Sequence, residues 1–151
     1  MEIYLLHPLH TFVFASILVA IIPKEHIHRL SIYGIIFGGI MDITMLTFGQ
    51  LTGLFGWINY GPFGFVGIPF FAPISWSIFF ILFFYFLPSK KYLKFIYTAA
   101  AILFSIIYTN VVISLNIFWS YSQIVIPSIA FTIWFSIALW GFNKINRTLQ
   151  K

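Results

Sequence analysis

No cysteine occurs in this chain, and only three residues carry acidic side chains. The first absence removes disulfides, thiolate nucleophiles and cysteine-ligated metals together, and leaves the redox compartment unreadable. The second belongs to a wider scarcity. Charged residues make up 7% of the 151 residues, against roughly 25% in an ordinary soluble domain. So few charges cannot cover a water-facing surface, whereas lipid needs no such cover. Also missing are a phosphate-binding loop, a dinucleotide fingerprint and a metalloprotease helix. No linker, low-complexity tract or internal repeat divides the chain, so a single transmembrane domain over residues 1–151 is expected. The opening Met1-Glu2-Ile3 has no positive charge, and no small-residue cleavage site follows the first apolar stretch. That stretch therefore reads as a retained helix and not as a signal peptide.

What the chain does have is apolar length. Apolar residues reach 61% and aromatic residues 22%, led by 20 Phe. About 20 apolar residues cross the ~30 Å hydrocarbon core as a helix. Five segments qualify: 4–22, 30–51, 70–87, 95–118 and 124–142. Their continuity favours helices, whose backbone bonds are satisfied within the segment. The expected fold is an all-α integral membrane bundle of five transmembrane helices.

Charge gives this bundle a direction. Lys24 and Arg29 follow the first span, Lys90, Lys91 and Lys94 follow the third, and Lys144, Arg147 and Lys151 follow the fifth. The connections after the second and fourth spans carry no charge. All eight basic residues thus fall on one side, which the positive-inside rule makes cytoplasmic. The N-terminus is expected outside and the C-terminus inside, in a bacterial cytoplasmic membrane. The net charge of +5 reflects flanks that bind lipid headgroups and does not point to nucleic acid. The expected partners are the bilayer, other membrane subunits or further copies of the chain.

Few residues inside the spans carry chemistry. Asp42 is the only acid there, and a central acid raises insertion free energy by about 2.5–3.5 kcal/mol. Gly34, Gly38 and Asp42 recur at intervals of four, with Gly49 and Gly53 continuing roughly the same face. Small residues so spaced let a neighbouring helix approach, which turns Asp42 toward protein. There it serves either as a proton or ligand site, or as a carboxyl hydrogen-bonded to a neighbouring helix. His7 and His10 open the first span in His-Pro-Leu-His, with Pro8 suited to a first helical turn. Rise per residue puts His10 about 9 Å, Asn110 about 12 Å and Asp42 about 16 Å below the outer helix ends. The three would form an outer-half polar cluster if their helices are neighbours, with Gln50, Asn116 and Gln123 lining an approach. The competing reading sets both histidines among headgroups. His26 and His28 lie about 30 Å away on the opposite face, so no metal site is expected. No cofactor is expected either.

The stretch from Gly53 to Pro69 holds five of the ten glycines. Gly61, Gly64 and Gly67 permit tight turns, beside Asn59 and Pro62, and Trp57, Tyr60 and Phe63 are suited to anchoring at the interface. Pro73 fits the first turn of the third helix, which leaves Pro69 to Ala72 to descend in a non-helical form. A folded cap over the outer end of the bundle is expected.

The chain resembles small five-span membrane proteins of Gram-positive bacteria with AT-rich genomes. The resemblance rests on His-Pro-Leu-His, Gly38-Gly39-Ile40-Met41-Asp42, Tyr60-Gly61-Pro62-Phe63, Gly67-Ile68-Pro69 and Ser75-Trp76. It implies the five-span fold and brings no functional residues. A more local pattern is similar to integral-membrane carotenoid hydratase and cyclase-type enzymes: an acid in a span, a glycine- and aromatic-rich stretch, then Gly-x-Pro and Trp. This chain is much shorter than they are and has one intramembrane acid. The scarcity of polar groups favours a non-catalytic accessory, assembly or structural protein. Next come a protein that binds or transports a small ligand or ion at Asp42, then a membrane enzyme acting on a lipid or isoprenoid with His10 as second group.

Overall fold

Each of the five apolar runs coincides with a helix in the computed structural model, which describes residues 3–65 and 67–149. About three quarters (76%) of the protein is helical. A single turn at Ile3–Leu5 leads into α1 (Leu6–Ile21). Pro23 then starts α2 (Lys24–Gly34), which continues through a π-helical segment, Ile35–Ile40, into α3 (Met41–Thr52). The cap follows as β1 (Phe55–Trp57), β2 (Gly64–Phe65) and β3 (Ile68–Pro69), then α4 (Phe71–Tyr85), α5 (Lys91–Ser114), β4 (Phe118–Ser120) and α6 (Val125–Leu149).

Among the described residues, three helices are long and apolar enough to cross a membrane: Lys24–Thr52 with 29 residues, Lys91–Ser114 with 24 and Val125–Asn146 with 22. The apolar helices Leu6–Ile21 and Phe71–Tyr85 are shorter, about 24 and 22 Å at the helical rise. Large apolar side chains such as Phe12, Val19, Leu51 and Phe95 stand 70% or more exposed around the bundle, as suits lipid and not water.

Several boundaries differ from expectation. Lys24, Glu25, His26, His28 and Arg29 belong to α2 and not to a connection. Pro23 (φ −58°) lets the new helix begin one residue after α1's closing turn, and its carbonyl accepts from His26 and Ile27. The fourth helix stops at Ser114, short of residue 118, because Asn116 takes a left-handed conformation (φ 55°). The amide of Asn116 donates to Ile113 O and that of Ile117 to Val112 O, which is a Schellman stop. The long helix ends the same way. Gly53 (φ 65°) donates to Gln50 O, and Leu54 to Gly49 O. Asn116→Gly should therefore preserve stability, whereas Asn116→Val should cost about 1–2 kcal/mol in thermal unfolding, since left-handed backbone penalises a β-branched side chain.

These two stops each launch a strand, and the strands pair antiparallel with Phe55 opposite Ser120, Gly56 opposite Trp119 and Trp57 opposite Phe118. Strand β2 pairs β3 in a second ribbon. The fold is thus helical with two small ribbons at one end, the cap end. The opposite, basic end gathers Lys24, Arg29, Lys90, Lys91, Lys94 and Lys144. There His26 packs edge-on against Tyr85, Tyr33 Oη donates to Asn146 Oδ1, and Lys94 Nζ donates to Asn143 Oδ1. Lys151 lies outside the described residues.

Helix α4 is the centre of the bundle, and its two sides pack by different means. Toward the long helix the contact is backbone on backbone: a Cβ at Gly38 would overlap the Trp76 carbonyl and Ser77 Cα, and one at Gly34 would overlap Ser77 O and Ile81. Toward α5 and α6 it is aromatic. Phe80 and Phe135, both fully buried, lie 5.1 Å apart, Phe80 stacks on Trp134 at 5.7 Å, and Phe83 stacks on Tyr97 at 5.1 Å. In lipid, helices gain no hydrophobic drive from meeting one another. Close approach on one side and ring contacts on the other, each about 0.5–1.5 kcal/mol, supply the attraction instead.

The π segment keeps the small face aligned. Four-residue steps drift by about 40° per step in an α-helix of 3.6 residues per turn. A wider turn counters that drift, so that Gly34, Gly38, Asp42 and Leu46 all remain buried. Within it, the Phe37 carbonyl accepts a hydrogen bond from Trp134 Nε1.

Candidate functional site: two cavities at the cap end

Most hydroxyls in these helices satisfy themselves. Thr44, Thr47, Thr98, Ser105, Thr109 and Thr132 all donate to the carbonyl four residues before them, the usual arrangement for hydroxyls in membrane helices. Against that background three buried side-chain atoms have no hydrogen-bond partner among the described residues: Asp42 Oδ2, Trp57 Nε1 and His7 Nε2. Buried polar groups are nearly always paired, and each exception asks for an explanation.

All three belong to residues that line cavities. Asp42 and Trp57 line a cavity of about 60 Å³ between α3, α5, α6 and the β1–β4 ribbon. Trp57 and His7 line a second one, of about 20 Å³, between α1, α4 and α5. A water needs about 10–15 Å³ measured this way, so the first has room for a few water-sized groups and the second for one. Trp57, Trp76 and Tyr108 line both cavities and form the partition between them.

The ribbon places its side chains by strand alternation. Phe55, Trp57, Phe118 and Ser120 line the Asp42 cavity. Trp119 points the other way, 38% exposed, and its indole covers Gly56 on the paired strand. Trp57 is held by ring contacts, edge-on to His7 at 4.6 Å and to Phe118 at 4.9 Å. In the smaller cavity His10 stacks on Tyr108 at 4.8 Å. Thr11 Oγ1 donates to His7 O and shares a short hydrogen bond with Ser75 Oγ, which ties α1 to α4.

The residues singled out from the sequence divide accordingly. Asp42 is buried (3% exposed) and faces the larger cavity; His7 is buried and His10 half-buried beside the smaller one. The expected single cluster is thus two sites with aromatic rings between them. Asn110 joins neither. Its Nδ2 donates to Ile106 O and Gln123 O, fastening α5 to the turn before α6. Gln50 and Asn116 are likewise structural and line no approach: Gln50 Nε2 donates to Gly67 O, and Asn116 O accepts from Asn59 Nδ2. Gly34 and Gly38 lie against α4, but Gly49 sits under the Phe55 ring and Gly53, with nothing within 4 Å, serves as a helix stop and not as a packing surface.

The cap is folded, and its aromatics turn inward where interface anchors were expected. Trp57 is buried, Tyr60 Oη accepts from the Gly67 amide, and Phe63 packs against Phe71 at 5.6 Å and Tyr4 at 5.9 Å. The most outward-facing rings there are Phe65 and Tyr121, 73% and 84% exposed, followed by Phe70 and Trp119. Gly61 and Gly67 supply positive φ (57° and 77°), Gly64 pairs with Pro69, and Asn59, Gly61 and Pro62 are exposed. Pro73 lies in the first turn of α4, but helix already begins at Phe71 and Phe70 before it has helical dihedrals, so of the expected Pro69-to-Ala72 descent only Pro69, in β3, is extended.

Tyr108 and Trp134 are not singled out by the sequence, and Trp76 enters there only through the Ser75-Trp76 motif of the resemblance. Trp76 and Trp134 stand well inside their apolar runs, away from the ends where tryptophan usually collects. A buried indole N–H needs an acceptor, so their position carried a readable signal.

The fold and site define a mostly helical protein, three of whose helices can span a membrane, with a buried carboxyl in a cavity walled by aromatic rings. No family model matches the chain, and no curated protein or solved structure is detectably similar to it.

Proposed function

We propose that the protein is a five-span membrane protein that binds a small ligand at the Asp42 cavity, from a cap on the outer face of a bacterial cytoplasmic membrane. The observation that carries this reading is that two residues with an unpartnered buried polar atom, Asp42 and Trp57, line the same cavity. Purely structural packing would have paired them with a neighbouring helix, since an unsatisfied buried group costs about 1–3 kcal/mol. The accessory role suggested by the scarcity of polar groups is the competing reading. Acid–base catalysis has less support, because His10 borders the other cavity, stacked on Tyr108.

Five crossings are supported by the five helices and by the gathering of basic side chains at one end. The shorter helices suit this reading: α1 is extended by the turn at Ile3–Leu5, and α4 is central and shielded by its neighbours. The absence of native cysteine makes the test clean. Single cysteines at Tyr60 and Tyr121 should react with an impermeant maleimide added outside, and those at Ser89 and Thr148 only after permeabilisation. Outside labelling at Ser89 would sink the five-span threading.

Ligand binding is tested by filling the cavity. Ala130 lines it from α6, and Ala130→Phe occupies it. Native mass spectrometry of the detergent-released protein should find a small-molecule adduct on the wild type and none on Ala130→Phe, with unfolding temperatures alike. Identical adduct-free masses for both after incubation with cell extract would favour the accessory reading.

A further inference from the structure

The chemistry of the walls narrows the ligand class, on the premise that the Asp42 cavity is a binding site. Trp76, Phe131 and Trp134 form one wall, with Trp76 4.8 Å from Trp134 and 5.6 Å from Phe131. Trp57 and Phe118, 4.9 Å apart, form another. Tyr108 contributes from α5, and no lysine or arginine among the described residues lines the space. Asp42, 3% exposed, is the only carboxyl among the described residues that line it.

We propose that this cavity binds a small organic ammonium cation, with its positive nitrogen against the Asp42 carboxylate and its alkyl groups against the aromatic walls. Two independent features lead there. A lone buried carboxyl, once ionised, calls for a counter-charge, and no side chain among the described residues around it supplies one. Aromatic rings line the space, and the faces of such rings are electron-rich, tryptophan's most of all, which is how proteins hold alkylated ammonium groups. An anion would meet Asp42 unfavourably. A divalent metal would need several oxygen or nitrogen ligands, and no three His, Asp or Glu side chains converge among the described residues. A lipid tail has no use for the carboxylate, and the space holds only a few water-sized groups.

The test uses the full chain in detergent, tetramethylammonium as probe and tert-butanol as its neutral near-isostere, with tryptophan fluorescence and thermal unfolding as readouts. Tetramethylammonium should bind at least about tenfold more tightly than tert-butanol, and Asp42→Asn should remove that preference while leaving the protein folded. Ala130→Phe should abolish the response to both. Equal binding of the two probes by the wild type, lost in Ala130→Phe, would overturn the cation inference and leave a neutral-ligand site standing. No response to either probe, together with no adduct on the purified protein, would overturn both the cation and the binding site.

Discussion

Gly38→Leu is expected to abolish assembly of the bundle. The long helix meets α4 there backbone to backbone, and any Cβ would enter the Trp76 carbonyl and Ser77 Cα. Those are main-chain atoms of a central helix, which cannot swing aside as a side-chain end would. Gly38→Ala is already informative. Replacing a helical glycine by alanine gains about 0.5–1 kcal/mol from backbone entropy, while overpacking a tight contact costs about 1–3 kcal/mol. The clash should win, and the variant should unfold at lower temperature. Gly53→Ala is the control. Nothing lies within 4 Å of it, but its φ is 65°, so it should lose about 1 kcal/mol from backbone strain alone and still assemble. A Gly38→Leu protein that elutes and melts like wild type would show that the helices do not need this approach.

Replacing Asp42 by leucine is expected to stabilise the protein while destroying its function. The carboxyl is buried, its Oδ2 has no partner among the described residues, and the neighbouring groups are mostly apolar. Removing an unsatisfied buried polar group should return about 1–3 kcal/mol. At about 2–4 °C per kcal/mol for a domain of this size, the melting temperature rises measurably. Asp42→Asn keeps the shape and should change stability little. Binding sites commonly hold such stability in reserve, and replacing their polar groups releases it. The reverse result, a marked loss of stability in Asp42→Leu, would make Asp42 a structural hydrogen-bonding group.

Much of the architecture could be read from the residues. Apolar length alone located all five helices, because a helix satisfies its own backbone wherever it lies and needs no information from elsewhere in the chain. Glycine spacing identified the face of the long helix that meets a neighbour. It also implied that Asp42 faces inward, since side chains four apart share a helix face whatever packs against them. The errors have physical causes too. The fourth span was read through to residue 118 because Ile117 and Phe118 are as apolar as the helix before them; the stop lies in one dihedral angle of Asn116. The ribbon of β1 and β4 escaped notice because its strands are about 60 positions apart, and pairing at that distance leaves no local pattern.

The polar residues mark the same division. Sequence by itself determined that Asp42, His7 and His10 are scarce polar groups in an apolar chain, at one end of it, because depth follows from counting residues along a helix. Only the tertiary structure decided which of them meet. Asn110 was within reach by depth but turns its amide to the backbone of Gln123. Asp42 and His7 lie on either side of Trp57, Trp76 and Tyr108, which come from a strand and two different helices. The angle at which a helix presents its faces to its neighbours depends on every contact in the bundle. A partition assembled from three elements exists only once all of them have packed.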